Sequence, residues 1–264
     1  MRNMQKYLFS VLGKFFLIAA VFSVTCQPLQ AETSFSKLKE KAERFYAYQE
    51  WDSALAMYEL MLMQQPTDLP TISLALALYG LKGDEEKQIQ LVELSQQKGI
   101  ALNDLFENVK TEAFRLGKPD IYENLLLKIK EKQPWLKRSI NLQLIKYYDS
   151  RNNAPKMISI SDSLLTVNPD DIYTLSIKAR GNILLSEIEP GVSAYRQILE
   201  LDKDNMEALL NIGIVRYNEV KQKQLPLDSP TAAEARSCLQ QAYSQKPTQF
   251  LKRIIGELTP QPAE

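Results

Sequence analysis

The chain has 264 residues, 32 Lys plus Arg against 32 Asp plus Glu, 45% hydrophobic residues, two cysteines and no histidine. Such a length can bury a substantial core, and the balanced charge offers no electrostatic footprint for a nucleic acid, so none is expected as a partner. The commonest general base and the commonest metal ligand are both missing with histidine, so an enzyme, a metal site and a cofactor are not expected.

The first 31 residues carry Arg2, Lys6 and Lys14 and no acid, followed by an apolar run from Phe15 to Val24 and by Ala31 before Glu32. That layout predicts a secretory signal over 1–31. A retained anchor is the alternative, although the uncharged stretch from Phe15 to Ala31 is 17 residues, at the short limit for a bilayer span, and Gln27, Pro28 and Gln30 dilute it. A lipid on Cys26 is a third reading, which Ser23-Val24-Thr25-Cys26 fits poorly. Membrane association is expected only in those last two cases. Cleavage after Ala31 would leave 29 cations, 32 anions and Cys238 alone, so no internal disulfide is expected. The expected location is outside the cytoplasm, in the periplasm or associated with the envelope.

Residues 32–258 read as paired helices. Phe35 to Tyr48 places Leu38, Ala42 and Phe45 on one side, and after Gln49-Glu50 a second helix from Trp51 to Pro66 carries Leu55, Tyr58 and Leu62 at helical spacing. One short helix cannot shield these side chains, so each needs neighbours of its own kind. Breaks recur at steps near 34 residues, at Pro66, Gly99-Ile100, Pro134, Pro169, Asp202-Lys203 and Pro247, which divides the chain into six repeats, 35–68, 69–102, 103–136, 137–171, 172–205 and 206–249. Pro119, Pro155, Pro190 and Pro230 fall where the second helix of repeats three to six should begin, a position where the missing N–H costs nothing. Thr231 with Glu234 predicts a capping box. Residues 218–228 are predicted to lengthen the turn of repeat six, either as a binding loop or as a tolerated flexible one. Phe250, Leu251, Ile254, Ile255 and Leu258 predict a capping helix over 248–258, with a disordered tail over 259–264.

Leu38, Ala42, Phe45, Ala54, Tyr58 and Pro66 together resemble the tetratricopeptide repeat, with Lys41 departing from its outline. Repeat five adds Leu175, Ala179, Gly191, Tyr195 and Ile198, and repeat six adds Leu209, Ile212, Gly213, Tyr217, Ala235, Leu239 and Ala242. Repeats two to four depart, placing Gln88, Lys110, Tyr122, Ile145 and Met157 where small residues belong. The resemblance implies an all-α fold, a right-handed α-solenoid of helix-turn-helix repeats closed by a C-terminal capping helix. Another type of helical repeat is the alternative for repeats two to four.

The resemblance further implies that first helices line a concave surface holding segments of partner proteins. Mapped through the register, that surface presents Asn108, Thr111 and Arg115, then Gln143 and Lys146, then Arg180, then Asn211 and Tyr217. This mixture suits a peptide backbone bearing one or two carboxylates. Each residue also reads as part of a solvated polar face. The family's clamp for a terminal carboxylate is not reproduced, since Lys39 stands with Glu43 and Ser176 with Arg180. Asp170-Asp171 and Asp202 with Asp204 read as helix caps, and Trp135, Tyr147 and Tyr148 as packing. The expected function is a non-enzymatic scaffold of the bacterial cell envelope that binds a segment of another envelope protein. A self-associating homo-oligomer is the alternative.

Overall fold

The structure, a computed structural model, describes residues 34–260. The expected signal segment, Cys26 and the last four residues of the tail lie outside them. Among the described residues there are thirteen α-helices and no strand. The helices are α1 (Phe35–Ala47), α2 (Trp51–Gln64), α3 (Leu69–Lys82), α4 (Glu85–Gln97), α5 (Leu102–Arg115), α6 (Asp120–Lys132), α7 (Lys137–Ser150), α8 (Ala154–Leu165), α9 (Ile172–Leu184), α10 (Ile188–Leu201), α11 (Met206–Lys223), α12 (Pro230–Gln245) and α13 (Gln249–Leu258). A short 3-10 turn, Pro134–Leu136, leads into α7. The fold is all-α, a succession of helix-turn-helix hairpins ending in a capping helix.

A single backbone event makes each hairpin turn. Gln49, Gly83, Gly117, Asn152, Ser186 and Gln224 all adopt positive φ, between 50° and 74°. The left-handed conformation ends a helix and reverses the chain, and it costs a residue with a Cβ roughly 1–2 kcal/mol. Glycine stands at two of the six positions.

The chain divides into two compact bodies. One takes in the described residues up to Tyr79 together with Glu93–Glu112, and the other Gly80–Val92 together with the described residues from Ala113 onward. In the first body α1 packs on α2 through Leu38, Ala42, Ala54, Leu55, Tyr58 and Met61, all buried. Leu62, expected in that seam, is only half-buried, and Met61 takes its place. The alanines let the two backbones approach. Tyr46 meets Trp51 edge-on at 5.3 Å across the turn, and the Tyr79 hydroxyl donates to Glu59 at 2.5 Å.

In the second body each helix from α6 to α13 packs mainly on its neighbours in sequence, the arrangement of a repeat array. Leu175, Ala179, Val192, Ala194, Tyr195, Ile198, Ala208 and Ile212 form one core cluster. Leu209, Val220, Ala232, Ala235, Leu239 and Ala242 form the next, which Leu251, Ile254 and Leu258 of α13 complete. Two of the large residues of the worn repeats, Gln88 and Met157, are met by glycine on a facing surface. Gln88 is buried, and a Cβ on Gly80 would lie 2.5 Å from its Nε2 and 2.5 Å from Ile121 Cγ2. Likewise a Cβ on Gly181 would lie 2.9 Å from Ile158 Cγ1 and 3.4 Å from Met157 Cβ. Tyr122 is buried edge-on to Tyr147 with ring centroids 5.4 Å apart.

Four sequence expectations need correction. The insertion of repeat six mostly extends α11, which runs on to Lys223, rather than the loop. Its exposed Glu219–Lys223 pair, 2.7 Å apart at four-residue spacing, supports the added helical turns. Only Pro230 occupies the first helical position; Pro155 and Pro190 lie one and two residues further in, and Pro119 just precedes α6. All four fall where the helix has no internal partner for the N–H. The cap of α12 is Ser229, which accepts from Ala232 N at 3.3 Å, while Glu234 is drawn into ion pairs. Trp135 is 76% exposed, although Tyr147 and Tyr148 are buried as packing residues.

The junction acids act as local braces. Asp171 accepts from the Thr174 hydroxyl, and Asp202 accepts from Asn205 Nδ2 at 3.1 Å, whereas the backbone cap of α11 is Asn205, accepting from Ala208 N at 3.1 Å. Among the described residues no group of three or more acids or cysteines is placed to hold a metal ion.

Candidate functional site

The first helices α7, α9 and α11 of the second body are joined by side chains of a repeated offset. Arg180 Nη2 on α9 donates to Asp149 Oδ1 on α7 at 2.6 Å, and the Ser176 hydroxyl on α9 donates to Glu207 on α11. Both pairs are 31 residues apart, one repeat less about one helical turn.

Around the Asp149–Arg180 pair lies a hollow of 160 Å³, whose polar lining is Asp149, Asn152, Arg180 and Asn211. Met157, Ile183 and Leu184 supply its apolar wall, and Leu184 is 52% exposed, so the hollow opens to solvent. Asn211, which lines the hollow, donates through Nδ2 to Glu207 O at 2.8 Å in its own helix, so its Oδ1 remains an acceptor. Arg180 Nε is buried without a hydrogen-bond partner. A buried donor in that state costs about 1–3 kcal/mol until an acceptor reaches it.

The surroundings of this pair are polar as well. The Tyr195 hydroxyl is buried beside Ser176, and burial, reinforced by Glu207, pushes its pKa well above the ordinary phenol range. Tyr173, half-exposed at the start of α9, is also shifted upward, chiefly by burial and then by the Asp149 carboxylate. Asp149, Glu207 and Arg180 give this neighbourhood two negative charges and one positive.

The expected groove residues separate into groups. Arg180 and Asn211 come together in the hollow. Lys146 and Arg115 are exposed in the same body, outside its lining. Asn108 and Thr111 belong to the first body and bond to their own helix, Asn108 Nδ2 to Asp104 O at 2.8 Å and Thr111 Oγ1 to Glu107 O at 3.0 Å. Gln143 does not face an open surface. It is 7% exposed, and its Oε1 accepts from the Tyr122 hydroxyl at 3.5 Å, because the large Tyr122 of repeat three pulls it inward. Tyr217 holds the capping helix, donating to Glu257 Oε2 on α13 at 2.6 Å beneath the Lys221 ammonium.

Sequence reasoning missed Asp149, Asn152 and Leu184. The 31-residue offset between opposite charges was the available signal for Asp149. It also missed a buried ion cluster. Arg216 on α11 is 4% exposed and donates to Glu189 on α10 through Nη1 at 2.6 Å and Nη2 at 2.8 Å, to Glu219 at 2.6 Å and to Glu234 on α12 at 2.8 Å. Arg196 forks onto Glu234 from the other side, through Nε at 2.8 Å. The Arg216 guanidinium holds the Glu189 carboxyl below its ordinary value, and Lys223 followed by Arg216 does the same for Glu219. The signal here was a charge at an apolar register position between Ile212 and Val220.

No family model matches the sequence, and no curated protein does. Among solved structures, a protein from Bacteroides ovatus suggested to bind proteins is similar at 16% identity over 66% of this chain and 95% of its own, with a TM-score of 0.50. A tetratricopeptide repeat protein from Parabacteroides merdae shares 14% identity over 97% of this chain and 96% of its own, with a TM-score of 0.41. A TPR repeats protein from Bacteroides fragilis shares 13% identity over 86% of this chain and 98% of its own, with a TM-score of 0.39. At such identities the first of these likenesses speaks to the fold alone, and it agrees with the succession of helical hairpins described above.

Proposed function

We propose that this chain is a non-enzymatic interaction scaffold, exported to a bacterial cell envelope, which holds a segment of another envelope protein against α7, α9 and α11. One observation carries the reading: a solvent-open hollow in which the half-exposed Arg180 of α9, the amide of Asn211 on α11 and an apolar wall from α8 and α9 meet beside Asp149 of α7. These are the ingredients of a peptide site, since an extended chain offers a carbonyl, an N–H and a side chain within a few ångströms. A catalytic reading has less support, because the chain has no histidine and burial pushes the Cys238 thiol up to about 11. Export is supported by residues 1–31 of the sequence.

A photo-crosslinking residue at Leu184, installed in the chain in its native cells, tests this. A crosslink that maps to one segment of one envelope protein, and that disappears in a folded Arg180→Ala background, is expected. Crosslinking at Leu184 no different from that at the exposed Leu201 would refute it.

A further inference from the structure

The charges and donors of the hollow specify what sort of segment enters it. We infer that the occupant is an uncharged stretch of extended polypeptide, with a main-chain carbonyl on the exposed part of the Arg180 guanidinium and an aliphatic side chain against Met157, Ile183 and Leu184. The inference rests on the peptide-binding reading above and narrows it.

Charge comes first. Arg180 is the cation of the hollow, and Asp149 at 2.6 Å already neutralises it. Glu207, bonded to Ser176 and coupled electrostatically to the Tyr195 hydroxyl, adds a further negative charge beside it. An entering carboxylate would therefore meet a lining whose one cation is already paired and a further carboxylate beside it, and like charges at close range are rejected. Sequence alone favoured a segment with one or two carboxylates; the paired Asp149 removes the ground for them here.

Hydrogen bonding comes second. The half-exposed Arg180 guanidinium keeps N–H donors beyond the one given to Asp149, and Asn211 Oδ1 is an acceptor whose amide nitrogen bonds to Glu207 O. Such a donor beside an acceptor complements a peptide unit, which brings an acceptor and a donor with no net charge. Size comes third. At 160 Å³ the hollow is well under the ~300–1,000 Å³ of small-molecule sites, and three apolar side chains wall it, which suits one aliphatic side chain.

The test pans a display library of random twelve-residue peptides, end-blocked, on the immobilised full chain, and follows hydrogen–deuterium exchange of the bound state. Expected are enriched peptides with an aliphatic centre and few acids, protecting α9 and α11. In Asp149→Asn, whose exchange pattern without peptide should match that of wild type, the freed Arg180 cation should shift selection at least tenfold toward Asp- or Glu-bearing peptides. The double variant Arg180→Gln with Asp149→Asn, which leaves the pair without net charge as in wild type but removes the guanidinium donors, should weaken the wild-type peptides at least tenfold. Acidic peptides selected by wild type would overturn the inference while the peptide-binding reading stands. So would an unchanged preference in Asp149→Asn. Peptides that protect none of α7, α9 and α11 would overturn both.

Discussion

Removing the Arg216 guanidinium is a severe test of how the last two hairpins are held. Its side chain is 4% exposed and makes four charge-assisted hydrogen bonds of 2.6–2.8 Å to three carboxylates on α10, α11 and α12. Deleting one partner of a buried ionic network typically costs ~3–5 kcal/mol, mostly because the abandoned charges are left without compensation. Here the abandonment is partial. Glu219 keeps Lys223 at 2.7 Å, Glu234 keeps Arg196 at 2.7 Å, and Glu189 is 66% exposed, so water can take over. Arg216→Met also retains much of the buried aliphatic stem. The expected loss is therefore about 2–3 kcal/mol, just below that range. For a chain of this size it corresponds to a fall of about 4–12 °C in melting temperature. Arg216→Lys keeps the charge but not the fork, and should lose about half as much. Denaturant-dependent hydrogen exchange of α10 to α12 measures the loss, with α1 and α2 as an internal reference that should not move. A change below about 0.5 kcal/mol in Arg216→Met would show that the guanidinium contributes nothing, and equal losses in the Lys and Met variants would show that the charge contributes nothing without the fork.

Further outcomes follow from the packing of the helices. Gly213→Ala should destabilise by ~1–3 kcal/mol, because its Cβ would lie 2.6 Å from Leu239 Cγ, whereas Gly256→Ala, with nothing within 4 Å, should stabilise by up to ~1 kcal/mol; urea melts compare them. Ser186→Gly should raise stability by about 0.5 kcal/mol, since φ of 63° strains serine by somewhat more than glycine adds to the unfolded chain's freedom; a lowered midpoint would contradict this. The lowered carboxyls of Glu189 and Glu219 add stability that is complete above their ordinary value of 4.5 and is lost as pH falls through the lower folded-state values. Urea midpoints between pH 6 and pH 3 should thus drop less in Arg216→Met than in wild type. Cys238, half-buried with its thiol pushed up to about 11, should react with iodoacetamide at pH 8 far more slowly than a free thiol does.

The hairpins were legible because apolar spacing and proline position are local signals. The first helices start at Phe35, Leu69, Leu102, Lys137, Ile172 and Met206, within a residue of the repeat starts 35, 69, 103, 137, 172 and 206 read from the sequence. Compensation was not legible, since the match of Gly80 to Gln88 or of Gly181 to Met157 depends on which helices face each other. The extension of α11 was misjudged for a different reason. Residues 218–223 are good helix formers with an i, i+4 ion pair, yet their departure from the repeat length pointed to a loop. At the candidate site, Arg180 and Asn211 followed from the register, while the neutralising Asp149 required the offset between adjacent first helices. That one missed carboxylate changes the ligand from acidic to uncharged.

The positive φ shared by Gln49, Asn152, Ser186 and Gln224 has a stereochemical consequence. At these four positions the backbone already has the shape that a residue of mirror-image chirality prefers. A semisynthetic chain with a D-amino acid at Ser186 should close its hairpin more readily than the natural one, while the same inversion inside either flanking helix should break it.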